Sequence, residues 1–199
     1  SSAGVVFATG MAFVNLVSTP ANNLSVTTIV NSTTTLGTTQ DWLSLTINAS
    51  TVTLRVDQTI AGDLTLNSGT LDLNGKTLTV TGNLLHTGGT LKINGGRLNV
   101  LGNYLIQASN GGNSNGVLQM TNAADWVQVN GNFLMQSTAS HNGQLIAGTL
   151  EVRGNFTQGG TATSFYAYGA HRVLLSGTAV QTVGLTNPDS VSGSRFMTL

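Results

Sequence analysis

One short motif limits the fold of this chain more than any other feature: Gly, then Asn or Asp, then a large apolar residue. It stands at Gly62-Asp63-Leu64, Gly82-Asn83-Leu84, Gly102-Asn103-Tyr104, Gly131-Asn132-Phe133 and Gly154-Asn155-Phe156, with a degenerate copy at Gly177-Thr178. The spacings of 20, 20, 29, 23 and 23 residues define a unit of about twenty residues that accepts insertions at one or two places. Each unit also carries apolar residues two apart, as at Leu71 and Leu73, Leu91 and Ile93, Leu118 and Met120, and more weakly Leu145 and Ala147. A further set precedes the next Gly: Leu78 and Val80, Leu98 and Val100, Val127 and Val129, Leu150 and Val152, Val173 and Leu175. Residues two apart share one face of a strand, and no segment sustains a helical period. Asn74-Gly75, Gly88-Gly89 and Asn94-Gly95-Gly96 fall between the strands, where a positive φ turns the chain tightly.

Three short strands and three corners in about twenty residues make one coil of a β-solenoid, in which each strand pairs with its equivalent in the next coil. The expected fold is therefore all-β, a parallel β-helix with about 20–23 residues per coil. It would occupy residues 41–199, with 1–40 an N-terminal strand and a cap or assembly region. Stacking at about 4.8 Å gives inward columns such as Leu73, Ile93, Met120 and Tyr104, Phe133, Phe156. Asp72 and Lys92 occupy the same outward place in consecutive coils, so a weak ion pair between them tests the register. Asp63, Asn83, Asn103, Asn132 and Asn155 would form a ladder at one corner, each side chain bonding the next. Residues 41–61 read as a poorer first coil, with Leu43, Leu45, Ile47, Val52, Leu54 and Val56.

Composition removes several function classes. Asp, Glu, Lys and Arg make up only 7% of the 199 residues, against about 25% in ordinary proteins, and the formal net charge is zero. Nucleic-acid binding needs clustered Lys and Arg, and seven scattered ones supply no such footprint. The longest apolar stretch, from Ala3 to Val17, is interrupted by Thr9, Gly10 and Asn15 and falls short of the roughly 20 residues of a spanning helix. The absence of cysteine excludes disulfides, thiol catalysis and thiolate metal sites. Thr, Ser, Asn and Gln take the place of charges, a usage that points to an extracellular or cell-surface setting.

Both ends stand apart from the repeat. Val5, Phe7, Met11 and Phe13 alternate with mostly small residues, the pattern of a strand with one bulky face. No charged n-region precedes it, since the first basic residue is Arg55, so the segment is expected to belong to the mature chain. Such a strand caps its own solenoid or pairs with another subunit by strand donation. The last residues, Arg195 to Leu199, are strand-like and apolar, a template for association in which Phe196 and Leu199 are the candidate contacts.

The stretches GTLDLNGKTLTVTGN from Gly69, GTLKINGGRLNVLGN from Gly89, GTLEVRGNFTQ from Gly148 and HRVLLSGTAVQTV from His171 resemble right-handed β-helix modules of bacterial cell-surface and secreted adhesin-like proteins. The resemblance covers about residues 55–199. It implies a right-handed coil and a role as stalk, spacer, or adhesive or assembling unit outside a bacterial cell, and it carries over no catalytic residues.

Enzymatic chemistry finds little material. Glycoside hydrolysis needs paired carboxylates about 5–10 Å apart, and of seven acids only Asp57 and Asp63 form a nearby pair, with solvated turns their simpler role. No acidic cluster suits Ca2+, and His86, His141 and His171 lack the spacing of a zinc site, so neither metal nor other cofactor is expected. The loop Asn110 to Gly116 is Gly-rich but lacks the Lys and following helix of a phosphate cradle. A rank of Thr77 and Thr79 is broken in the next coil by Arg97 and Asn99, which counts against ice binding. Trp126, Phe165, Tyr166 and Tyr168 are candidate sugar-stacking aromatics. The leading expectation is a non-catalytic secreted structural protein that assembles with copies of itself, end to end or by donor strand, into a filament or surface layer. The alternatives are an adhesin or polysaccharide-binding module on a cell-surface stalk, and a polysaccharide-degrading β-helix enzyme.

Overall fold

The computed structural model describes residues 27–30, 34–36, 41–48, 51–189 and 191–199. Its twenty described strands form three parallel sheets, and there is no helix among the described residues. The chain is a β-solenoid of about six turns. The first sheet has eight strands: Thr27–Val30, Ser44–Ile47, Leu64–Leu66, Leu84–His86, Tyr104–Ile106, Phe133–Ser137, Phe156–Gly160 and Val183–Leu185. The second has five, from Thr34–Leu36 to Val117–Gln119, and bridges from Met120 to Leu145 and from Leu145 to Ala167 prolong it. The third has seven, from Asp41–Trp42 to Arg172–Leu175. Among the described residues, Thr27–Val30 already pairs with Ser44–Ile47, so the stacked rungs reach back beyond residue 41.

Alternation within each rung places one side chain in the core and the next outside. Thr77–Val80 and Arg97–Val100 align residue for residue, burying Leu78, Val80, Leu98 and Val100. The predicted inward columns are present: Leu73, Ile93 and Met120 are buried, as are Tyr104, Phe133 and Phe156. Lys92 aligns with Asp72, and their charged groups lie 3.6 Å apart, which fixes the register expected from sequence. In the early coil Leu45, Ile47, Val52 and Leu54 are buried, but Leu43 is 45% exposed because it sits at the corner before its strand. Leu145 aligns with Met120 rather than Leu118, so the inward place beside Leu118 goes to His141, whose Nε2 accepts the Leu118 N–H at 3.0 Å.

The corners use glycine for two reasons. Asn74-Gly75 and Asn94-Gly95 join the second sheet to the third with φ of 48° and 74°, then 49° and 78°, left-handed backbone that Asn and Gly tolerate best. Gly102 has an ordinary φ but no room, since a Cβ there would lie 2.5 Å from the Gly82 carbonyl oxygen. The neighbouring ladder differs in one respect from a pure amide stack. The side-chain oxygens of Asp63, Asn83, Asn103, Asn132 and Asn155 accept the backbone N–H of the next coil, at 2.6–2.9 Å, ending on Thr182. Each corner therefore registers the next directly on its main chain.

Candidate functional site

The aromatic residues singled out in the sequence separate into different environments. Phe165 is fully buried and packs edge-on to Phe156 at 4.9 Å and to Phe133 at 6.2 Å. The expectation of an exposed sugar-stacking Phe165 is corrected: its alternation with Ser164 and Tyr166 is interrupted by a turn, and the side chain enters the core. Tyr166 is half-buried, donates its hydroxyl to the Val191 carbonyl at 2.8 Å, and has the Arg195 guanidinium over its ring at 3.9 Å. Tyr168 is 57% exposed. Trp126 lies within an outward row on the third sheet, aligned with Arg97 on one side and Thr149 and then Arg172 on the other. The four thus make no common surface.

Trp126 belongs instead to a polar lattice centred on Arg97. The guanidinium carbon lies 5.2 Å from the centre of the indole. Arg97 Nε donates to Asn99 Oδ1 at 2.8 Å and Nη2 to Gln128 Oε1 at 2.8 Å, while Asn99 Nδ2 reaches Thr79 Oγ1 at 3.4 Å. Beside this lattice runs a shallow groove of about 320 Å3, lined by Thr79, Arg97, Asn99, Val100, Leu101, Gln128 and Asn130. The sequence contained its signal, for the rank of Thr77 and Thr79 is broken by Arg97 and Asn99. What the pattern could not show is that the next coil supplies Trp126 and Gln128 to hold the arginine.

The three histidines all lie inside the coil. His86 Nε2 faces the Gly89 carbonyl at 3.1 Å, so that nitrogen carries the proton, and Nδ1 accepts from the Tyr104 hydroxyl at 3.1 Å. Burial pulls His86 down to about 4, and it pushes the Tyr104 phenol up. Burial, with a smaller contribution from His86, pulls His141 to about 3. His171 is drawn to about 4 by burial and has no hydrogen-bond partner on either ring nitrogen. All three are neutral at pH 7 and act as core side chains. Among the described residues no group of three or more His, Asp or Glu is placed to hold a metal.

The acids suspected of hydrolytic chemistry serve the backbone. Asp57 Oδ1 accepts the Thr77 N–H at 2.7 Å, and Asp63 Oδ1 accepts that of Asn83 at 2.6 Å. Asp125 is buried at a corner, where it accepts the N–H groups of Gly95 and Asn122. Glu151 is bound by Arg153 Nε at 3.1 Å and Ser176 Oγ at 2.7 Å.

Of the expected assembly residues, Val5, Phe7, Met11 and Phe13 lie outside the described residues. Phe196 is half-buried and turns inward, its ring 4.9 Å from Phe156 and 5.7 Å from Phe165, so it closes the aromatic column. Leu199 is 68% exposed. The return of the chain also lets the Thr198 carbonyl accept the Val173 N–H at 2.9 Å, covering part of the third sheet. The first sheet ends on Val183–Leu185, which pairs only with Phe156–Gly160 among the described strands. Among the described residues, Val180 and Val183 are large apolar side chains exposed at or just before this strand, and the returning chain adds Val191, Met197 and Leu199.

The class of protein that these features define is a parallel β-solenoid with a polar lateral groove and one apolar sheet end. Comparison with protein-family models, with curated proteins and with solved structures finds no match. No helix among the described residues is long and apolar enough to cross a membrane.

Proposed function

We infer that the chain is a non-catalytic structural β-solenoid of a bacterial cell exterior, which assembles with copies of itself through the coil ending on Val183–Leu185. The supporting observation is the coincidence of an open strand edge with exposed apolar side chains. A parallel edge presents N–H and C=O groups at the spacing of the next rung, and the apolar residues beside it gain by leaving water. Low charge contributes, because few like charges oppose one coil stacking on another. The acids described here are engaged with backbone or basic groups, which suits a scaffold.

The test is sedimentation over a range of concentrations, with negative-stain microscopy of the same samples. The native chain should associate as concentration rises. Val183→Lys, which charges the open edge, should leave a folded monomer. A native chain that stays monomeric throughout, or a variant that associates as well as the native chain, overturns self-assembly through this edge.

A further inference from the structure

We propose that the groove beside Arg97 binds a carboxylate-bearing saccharide, of the uronic-acid class, on the outer face of the third sheet. It does not depend on self-assembly, since groove and sheet end use different residues. The first ground is the state of Arg97. A guanidinium has five N–H donors, and here one is taken by Asn99 and one by Gln128, so three remain. Those that remain include both on Nη1 and one on Nη2, the pair that meets a carboxylate in the two-pronged geometry. The side chain is exposed and makes no ion pair among the described residues, and no carboxylate lines the groove. Three holds fix it, the Trp126 ring and two amide oxygens, so little ordering is left to be done when an anion arrives.

The remaining lining selects a sugar over another carboxylate. Asn99, Gln128 and Asn130 supply side-chain amides, and Thr79 a hydroxyl, groups that match adjacent ring hydroxyls as donor and acceptor together. Leu101, 46% exposed, gives the C–H face of a pyranose an apolar contact. The volume of about 320 Å3 stands at the small end of ligand sites, suited to one or two sugar rings. Arg172, exposed in the same outward column two rungs beyond Trp126, extends positive charge along the face, so a polymer of repeated carboxylates gains over a single sugar. Trp126 is a positioning residue here, because its ring supports the guanidinium and does not line the groove.

The experiment is calorimetric titration of the whole chain with trigalacturonate, its fully methyl-esterified neutral form, and a short poly-glutamate peptide. Trigalacturonate should bind, with the ester and the peptide each at least about tenfold weaker. Arg97→Gln should weaken trigalacturonate binding by about tenfold or more, Arg97→Lys should recover only part, and Arg153→Gln, whose charge is already matched by Glu151, should leave it unchanged. Circular dichroism reports whether each variant is folded, and Arg172→Gln gives a second, smaller loss on the polymer polygalacturonate. No binding of trigalacturonate at 10-millimolar order, equal binding of ester and acid, or an Arg97→Gln variant that binds like the native chain overturns the site. Equal binding of poly-glutamate overturns the saccharide assignment.

Discussion

The coils from Leu64 to Val100 and those from Phe133 to Leu175 enclose their interiors with different materials. In the first group the motif repeats every 20 residues and the core is aliphatic: Leu64, Leu66, Leu71, Leu73, Leu78 and Val80, then the same positions one coil on, with His86 the single polar entry. In the second the motif repeats every 23 residues, and Phe133, Phe156 and Phe165 fill the centre together with His141, Gln158, Ser164 and His171. A longer coil encloses more cross-section, and rings fill it without leaving a void. Polar side chains enter for another reason. Gln158 Nε2 bonds the carbonyls of Gly159 and Thr161 and the Ser164 hydroxyl, and so satisfies backbone that the longer corners leave without a sheet partner. Regular rungs thus satisfy the main chain by stacking and by outward Asp and Asn side chains at the corners, with His86 the one polar side chain inside, while enlarged rungs use several polar side chains inside.

Acid should break the two groups apart, and this is the largest effect expected. A histidine neutral in the fold with its pKa at about 3 or 4, against about 6.5 in the unfolded chain, leaves the unfolded state binding more protons throughout that interval. Stability therefore falls as pH drops from about 6.5 toward 4 and is retained above it. At pH 5 each group accounts for up to about 2 kcal/mol, and two of the three lie in the enlarged coils. Hydrogen exchange at pH 5 should show residues 137–175 losing protection before residues 64–100. His171→Leu, which also removes two unpartnered ring nitrogens, should flatten the dependence. Unfolding midpoints equal at pH 7 and pH 5 would refute the neutral buried histidines.

Next in size is the aromatic column. Phe133 is fully buried and touches Tyr104, Phe156 and Phe165. Phe133→Ala should cost about 3–5 kcal/mol in urea unfolding, from lost transfer and the cavity left behind. It should exceed Leu98→Ala in the narrow coils by about 1.5 kcal/mol or more, because three ring pairs are lost and each adds about 0.5–1.5 kcal/mol. Equal losses at the two sites would mean that the enlarged interior relaxes around the cavity.

The repeat made the fold legible because its signals are local and recur: alternation of period two, left-handed Asn-Gly corners, and glycines where one coil's backbone lies against the next. Legibility ended where a residue's role depends on an insertion. Phe165 carries the composition of an exposed aromatic patch, but the turn at residues 161–164 sets its parity, and no periodic rule gives that parity. His141 was hidden for the same reason, since the motif alignment puts Leu145 opposite Leu118 and the extra residues shift it to Met120. Arg97 was visible as an irregularity in an outward rank, while its partners Trp126 and Gln128 come 29 and 31 residues later, across the longest insertion.

The smallest expected effect tests the register of the narrow coils. Asp72 and Lys92 meet at 3.6 Å, but Asp72 Oδ1 also accepts the Asn74 N–H at 2.8 Å and the Asn94 side-chain amide at 3.0 Å. The lysine is the more exposed partner, and its loss leaves those bonds in place. Lys92→Gln should therefore change stability by no more than about 0.5 kcal/mol, and raised salt should erase the change. Asp72→Ala should cost about 1 kcal/mol or more, because two hydrogen bonds to a charged acceptor go with the ion pair. A double-mutant cycle separates the terms: the coupling between positions 72 and 92 measures the pair, and the remainder measures the turn. If the coupling carried most of the aspartate's contribution, the Asn-Gly corners would owe their shape to charge stacking instead of to the carboxylate's hold on its own turn and on the coil above.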